Sequence, residues 1–248
     1  MIVFKAKRSK VKFNVKSLDS LINNLLPRLI GTEVWFADLD DCDARSPAKR
    51  VVMNAVGTKH YSPKYLAWSL KNSYDIIRRR ENKVWQDYVQ TFLNAPESLV
   101  EMQNFLTVGK VRATVFEGVE NFYAMLNSKK YYVTRNIETV ARLYAKHFGF
   151  NGLYCEVNDK GKVVEQFILN NPWFKYYGCS GDSVEDEEMF DVLKFYSKKK
   201  KIDSAITLYC SKKIKDNVDI ATTKDRTALV SVMAGYKVLP RYIGLMSL

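Results

Sequence analysis

Short apolar, β-rich runs alternate with segments of helical periodicity through the second half of the sequence. The runs are YYVT (131–134), LYCEV (153–157), YYGCSG (176–181), SAITLYC (204–210) and VDIAT (218–222). Between them lie segments with helical spacing such as NIETVARLYAKHFG, KGKVVEQFIL and EDEEMFDVLKFYSKK, and a last helix is expected around RTALVSVMAG. This alternation predicts an α/β fold with a parallel sheet and right-handed crossovers.

The first half contributes one more apolar run, Val34 to Ala37, and this run ends in acid. Asp38, Asp40, Asp41 and Asp43 follow within six positions, in a chain whose formal net charge is +12. Carboxylates so close together repel one another, and they are costly to hold against an apolar strand. We therefore expect a cation to compensate them.

Polar residues also follow two of the later strands. Thr134, Arg135 and Asn136 come after YYVT, and the segment GDSVED (181–186) ends the run YYGCSG. Ligands of parallel sheets gather at the carboxyl ends of the strands, so these groups are expected to form one site. Carboxylates from separate strands suit Mg²⁺, which also binds substrate phosphate, and a lysine at 160 or 162 would add positive charge.

Composition narrows the class of protein. With 47% hydrophobic and 13% aromatic residues in 248, the chain can bury a substantial core, and it contains no apolar run long enough to cross a bilayer. Its four scattered cysteines favour reduced thiols and a cytoplasmic location, and two histidines supply little for histidine-based metal chemistry. A sequence pI near 9.4 favours an anionic partner.

The remaining segments predict a hairpin and a helical region. Residues 1–17 alternate apolar and charged side chains as in a β-hairpin, and a helix capped by Asp19 is expected to end at Gly31. Residues 46–128 are expected to be mostly helical, in SPKYLAWSL, YDIIRRRENKVWQDYV, PESLVEMQNFL and EGVENFYAML.

Together, these motifs resemble the four motifs of the haloacid dehalogenase-like (HAD) superfamily of phosphohydrolases, in the same order. VWFA with Asp38 and Asp40 matches the first motif, and YYVT with Thr134 matches the second. A helix-start lysine, best fitted by Lys160, matches the third. Gly181 with the acids that follow it, Asp182 and Asp186, matches the fourth. Cys42 departs from the usual Thr or Val of the first motif.

The resemblance covers residues 34–46 and 128–230 and is strongest to phosphoserine-phosphatase-like members. It implies a Rossmann-like catalytic core of residues 34–46 and 128–248. It also implies an inserted helical cap of residues 47–127, preceded by an N-terminal extension of residues 1–33 without a recognised counterpart.

The resemblance further implies a phosphatase that works through an aspartyl phosphate on a small phosphorylated substrate. Asp38 would be the nucleophile and Asp40 the general acid and base, while Lys160 and Thr134 would stabilise the transferring oxygens. Arg135 would reach the substrate. Mg²⁺ would be held by Asp38, the main-chain carbonyl of Asp40, Asp182 and Asp186.

Several groups have simpler interpretations. Asp41, Asp43 and Glu185 are expected to solvate the site or support it from outside, and the run Arg78–Arg80 is expected to form a solvated helix face.

The alternative function is a nucleic-acid-binding protein on a HAD scaffold, or a phosphatase of nucleotide or polynucleotide ends. It draws on the net charge, on the run Arg78–Arg80 and on a basic N-terminal hairpin whose cations are Lys5, Lys7, Arg8, Lys10, Lys12 and Lys16. The cap contains no motif that identifies a substrate, and oligomeric state is left open.

Overall fold

The structure is a computed structural model, and it describes residues 1–6, 9–45, 67–68, 70–74, 87, 91, 110–211 and 218–246. Most of the expected cap therefore lies outside the described residues. So do most of the predicted helices in SPKYLAWSL, YDIIRRRENKVWQDYV and PESLVEMQNFL, together with Arg78–Arg80.

One eight-stranded sheet organises the described residues, in the order β1-β2-β8-β7-β6-β3-β4-β5. The six strands from β8 to β5 are parallel, whereas β1 and β2 form an antiparallel hairpin that joins β8. The strands are β1 (Ile2–Ala6), β2 (Ser9–Phe13), β3 (Val34–Ala37), β4 (Lys129–Val133), β5 (Gly152–Tyr154), β6 (Tyr176–Gly181), β7 (Ser204–Cys210) and β8 (Ile220–Thr222). The expected mixed α/β fold with a parallel sheet is confirmed.

Helices connect the strands. Their bounds are α1 (Leu18–Ser20), continued by a π-helical turn (Leu21–Leu25) and α2 (Leu26–Ile30), then α3 (Lys110–Thr114), α4 (Val119–Met125), α5 (Glu138–Phe148), α6 (Lys160–Asn170), α7 (Val184–Lys198) and α8 (Thr227–Met246). The N-cap of α1 is Ser17, whose hydroxyl accepts from Ser20 N at 3.1 Å, so the expected Asp19 cap is wrong. Asp19 instead lies in the first turn, where its charge suits the helix dipole.

Two apolar cores cover the two faces of the sheet. On one face, α2, α4, α5 and α8 pack over Trp35, Tyr132, Ile206 and their neighbours. On the other, α6 and α7 pack over Phe36, Cys179 and Tyr209. Tight packing between β3 and β6 requires Gly178, because a Cβ there would lie 2.2 Å from the Trp35 ring. With both faces covered, polar side chains of the central strands are left at the strand ends.

Two segments differ from the expected domain division. The hairpin of β1 and β2 is part of the sheet, since Val11, Lys12 and Phe13 pair with β8. Helix α4, which the division assigned to the cap, packs on the core, where Phe122 contacts the Trp35 ring edge-to-face at 5.3 Å. Both segments carry buried apolar side chains that belong to the core cluster on one face of the sheet.

All four cysteines are free thiols, as expected, and Cys42, Cys179 and Cys210 are buried. Within the described part of the chain, no helix combines the length and apolarity that crossing a bilayer requires.

Candidate active site

The candidate site lies at the carboxyl edge of the parallel strands. Asp38 directly follows β3, Thr134 follows β4, Asp182 follows β6, and Lys160 opens α6, the helix after β5. Because these strands are parallel, their carboxyl ends meet at one edge. The fold thus brings together side chains separated by up to 144 positions in the sequence.

A buried lysine joins two of the carboxylates. Lys160 Nζ lies 2.6 Å from Asp38 Oδ1 and 2.6 Å from Asp186 Oδ1. All three side chains are buried, with Lys160 only 4% exposed. Lys162, the alternative for the motif lysine, is exposed, and its backbone N–H donates to the helix cap Asp159. The geometry therefore favours Lys160.

The loop after β6 is organised by Asp186. Its Oδ2 accepts hydrogen bonds from Asp182 N at 2.8 Å, Ser183 N at 2.9 Å and Ser183 Oγ at 2.8 Å. Its other oxygen accepts from Lys160, so the carboxylate is held from both sides. Gly181 makes this approach possible, since a Cβ there would lie 2.2 Å from Asp186 Cβ.

Asp182 faces a cation that the sequence did not single out. Lys224 Nζ, two residues after β8, lies 3.3 Å from Asp182 Oδ2 and 3.3 Å from Asp41 Oδ1. Asp41 has φ of 57° at the tip of the loop after β3, a conformation that aspartate tolerates better than most residues. The signal available in the sequence was a lysine just after a predicted strand, VDIAT.

Asn136 connects Asp40 to Thr134. Its Nδ2 donates to Asp40 Oδ2 at 2.9 Å, and its backbone N–H donates to Thr134 Oγ1 at 3.1 Å. Thr134 and Asn136 are fully buried. The sequence placed Asn136 in the cluster after β4 without giving it a role; here it orients the Asp40 carboxylate. Arg135, beside it, pairs with Glu185 at 3.3 Å.

The electrostatics of the site are dominated by the burial of its charged groups. Burial raises the pKa of Asp40 to about 7, against the opposing charge of Lys160. Burial also raises the pKa of Asp182 to about 6, with Lys224 opposing and Asp186 adding to the rise. The pKa of Lys160 is raised as well, because Asp38 and Asp186 together outweigh the effect of its burial. The described carboxylates thus favour an additional positive charge.

The acids can share a cation. Asp38, Asp182 and Asp186 each offer a carboxylate oxygen, and the three oxygens lie within 4.8 Å of one another. Carboxylate oxygens are the ligands that hard divalent cations prefer. The residues present therefore fit a divalent metal ion.

Asp43 has the second of its two expected roles, support from outside the site. It is fully buried, and its Oδ1 accepts from the equally buried Arg226 Nη2 at 2.6 Å. Its Oδ2 accepts from Tyr123 Oη at 2.7 Å and Tyr132 Oη at 3.0 Å. A buried carboxylate needs such partners. The pair anchors the end of the acidic loop to the start of α8, to α4 and to β4.

Comparison of the sequence and the structure with known proteins identifies a similar fold. No protein-family model matches the sequence, and no curated protein matches it significantly. The solved structures that match include phosphoserine phosphatase in its apo form and phosphoserine phosphatase with bound substrate, each with a TM-score of 0.52 and 13% sequence identity. The alignments cover 82% of this chain and 98% and 97% of those chains. The chain therefore has the fold of the phosphoserine phosphatases, the HAD fold that its motifs resemble.

Proposed function

We propose that the protein is a Mg²⁺-dependent phosphomonoesterase that works through an aspartyl phosphate on Asp38. The observation that carries this proposal is the buried cluster of Asp38, Lys160 and Asp186 with Asp182 beside it, at the carboxyl edge of this fold. Asp40 lies two residues after Asp38 in the same loop, and Thr134 lies at the end of the neighbouring strand β4. The phosphoserine phosphatase neighbours support a small phosphorylated substrate.

In the first step Asp38 attacks phosphorus in line with the leaving oxygen. Lys160 holds Oδ1 of Asp38, so the other oxygen is available to form the new O–P bond. As the ester P–O bond breaks, Asp40 donates its proton to the departing alcohol oxygen. A carboxyl whose pKa is near 7 can hold that proton at neutral pH, and Asn136 fixes its orientation.

In the second step a water molecule hydrolyses the aspartyl phosphate. Asp40, now ionised, accepts a proton from the water as its oxygen attacks phosphorus. The acyl phosphate O–P bond breaks, inorganic phosphate leaves, and Asp38 and protonated Asp40 are restored. Thr134 and Lys160 provide a hydroxyl and a positive charge for the oxygens of the transferring group. Arg135 provides a second cation for the substrate.

The metal would be held by Asp38, Asp182 and the main-chain carbonyl of Asp40, with Asp186 as ligand or support. When bound, Mg²⁺ supplies charge neutralisation between the phosphate and the nucleophile. Both oxygens of Asp186 already accept hydrogen bonds, which suits a supporting role for this residue.

The experiment is hydrolysis of an aryl phosphate with Mg²⁺ and with EDTA. We expect Mg²⁺-dependent turnover that Asp38→Asn abolishes, because an amide cannot form the acyl phosphate. Asp191→Asn, an exposed acid on α7, is the matched control and should retain full activity. Turnover that survives in Asp38→Asn would refute the proposal.

A further inference from the structure

One face of the N-terminal hairpin is basic. Lys5 on β1 lies directly opposite Lys10 on β2, and Lys12 shares their face opposite Val3. The other face, with Phe4, Val11 and Phe13, packs on the core. The first 17 residues contain six lysines and arginines and no acid. Like charges directly opposite one another destabilise a strand pair, so this arrangement calls for a reason outside the hairpin.

Protection of a sheet edge does not account for the lysines on this face of the hairpin. Lysines on an edge strand deter pairing with other chains, and Lys5 is on the edge strand β1. Lys10 and Lys12, however, are on β2, which is hydrogen-bonded on both sides, to β1 and to β8. Their charge therefore protects no open edge.

The basic face reaches the same sheet edge as the acids of the site. Lys10 O accepts from Thr223 N at 3.0 Å, and Lys10 N donates to Thr223 Oγ1 at 3.2 Å. Thr223 directly precedes Lys224, which contacts Asp182. Lys5 lies opposite Lys10, one strand further out. The three lysines thus form a row, which we call the lysine row, along the carboxyl edge.

The length of the row follows from the strand order. From β3, which carries Asp38, the sheet continues through β6, β7 and β8 to β2. Four inter-strand spacings of about 4.8 Å place Lys10 about 20 Å from the nucleophile. A small phosphorylated metabolite bound at Asp38 does not reach that far.

The described acids near the row are already engaged. Asp41 and Asp182 contact Lys224. The carboxylate of Asp225 accepts from Thr227 N at 2.8 Å, at the start of α8. Beyond Lys224 the row contributes the two positive charges of Lys10 and Lys5, against the one carboxylate of Asp225.

We propose that the substrate is the terminal phosphomonoester of a single polynucleotide strand, whose backbone phosphates lie on the lysine row of Lys224, Lys10 and Lys5. This inference rests on the proposed function and names its substrate class. One linear molecule supplies both the phosphomonoester that the acids take and the diester charges that the lysines attract. Hydrolysis cleaves the terminal ester P–O bond with water and yields the strand's hydroxyl and inorganic phosphate.

Binding is tested first, in EDTA so that no turnover occurs. The probe is a fluorescent, short single-stranded oligonucleotide with a terminal phosphate, followed by anisotropy. Lys5→Gln/Lys10→Gln should bind the probe at least about tenfold more weakly than the native chain. The slope of the logarithm of its binding constant against the logarithm of the salt concentration should be shallower by about 1.4, which is about 0.7 for each lost phosphate contact. The matched control is Lys198→Gln/Lys201→Gln, exposed lysines at the end of α7 on the opposite edge of the sheet, which should bind as the native chain does.

Turnover is tested second, with Mg²⁺. The native chain should have a higher kcat/KM on the phosphorylated oligonucleotide than on a nucleoside monophosphate. Lys5→Gln/Lys10→Gln should raise KM for the oligonucleotide about tenfold and leave hydrolysis of the aryl phosphate unchanged.

The two proposals fail separately. If the aryl phosphate is hydrolysed but both lysine double variants bind the oligonucleotide equally, the phosphatase stands and the polynucleotide substrate is overturned. If no phosphoester is hydrolysed, the phosphatase falls, and with it the polynucleotide substrate. Lysine-dependent binding to phosphatidylserine vesicles without binding to the oligonucleotide would also overturn the inference, in favour of a membrane surface.

Discussion

At the scale of single residues, position 181 leaves no room for a side chain. A Cβ on Gly181 would lie 2.2 Å from Asp186 Cβ, and Asp186 in turn holds Lys160. We expect Gly181→Ala to cost about 1–3 kcal/mol of stability, as overpacking does. Because small displacements in an active site are costly, kcat should fall at least about tenfold. Thermal unfolding and aryl phosphate turnover measure the two effects.

Gly235 provides the control for this substitution. It is exposed within α8, and a Cβ there would meet nothing within 4 Å. Gly235→Ala should therefore raise stability by about 0.5–1 kcal/mol, since alanine favours the helix. Equal behaviour of the two variants would show that the crowding at position 181 is unimportant.

The raised pKa values of two acids predict how stability varies with pH in the metal-free protein. Asp40 and Asp182 have pKa values of about 7 and about 6 when folded, against about 3.9 in the unfolded chain. Between about pH 4 and pH 7 the folded state thus binds more protons, so these groups make stability fall as pH rises. The measurement is the thermal midpoint of unfolding in EDTA, for the native chain and for Asp40→Asn/Asp182→Asn. The midpoint of the native chain minus that of the double variant should be at least about 4 °C lower at pH 8 than at pH 5.

Magnesium should reverse part of that loss. Protons compete with a metal for the same carboxylates, so Mg²⁺ should raise the midpoint more at pH 8 than at pH 5. Parallel pH profiles for the native chain and the double variant would contradict the assignment of these pKa values.

At the scale of elements, the acidic loop depends on a buried ion pair. Asp43 and Arg226 join the end of that loop to the start of α8, and both side chains are fully buried. Removing one partner of such a pair leaves an uncompensated buried charge, so Asp43→Asn should cost about 3–5 kcal/mol. Urea unfolding measures this cost.

Two comparisons isolate the buried charge. Glu138→Gln, which breaks the exposed pair with Arg142 on α5, should cost about 0.3–0.5 kcal/mol. Asp43→Leu/Arg226→Met should be more stable than Asp43→Leu alone, because the double variant leaves no charge unpaired. A cost below about 1 kcal/mol for Asp43→Asn would mean that the pair does not hold the loop.

These elements show where sequence reasoning succeeds and where it stops. Strands β3, β6 and β7 have the predicted bounds. Each is a largely apolar run, and a polar residue directly follows its last residue. The acids after them were predictable as neighbours since parallel strands share one edge. The burial of Asp43 was not, because it depends on Arg226, 183 positions away. No local pattern distinguishes that arginine from a solvated one.

At the scale of the whole molecule, the sheet extends beyond its parallel strands. The alternation in residues 1–17 predicted a hairpin, but a period of two says nothing about which strand the hairpin joins. The structure pairs β2 with β8 and packs α8 against β1 and β2. The first strands are therefore integral to the fold, and the basic face belongs to the same sheet as the site.

The integration of the hairpin predicts that its apolar face is essential for folding. Phe13 is fully buried and contacts Phe4 edge-to-face at 5.9 Å, so Phe13→Ala should cost about 3–5 kcal/mol. Val3, 39% exposed on the opposite face, is the control, and Val3→Ala should change stability by less than about 0.5 kcal/mol.

Deleting residues 1–13 would also remove a hydrogen-bonded neighbour of β8 and expose α8, so the shortened chain should not unfold cooperatively. If that chain folds and unfolds in urea as the native one does, the hairpin is an appendage, and the lysine row loses its fixed position relative to Asp38.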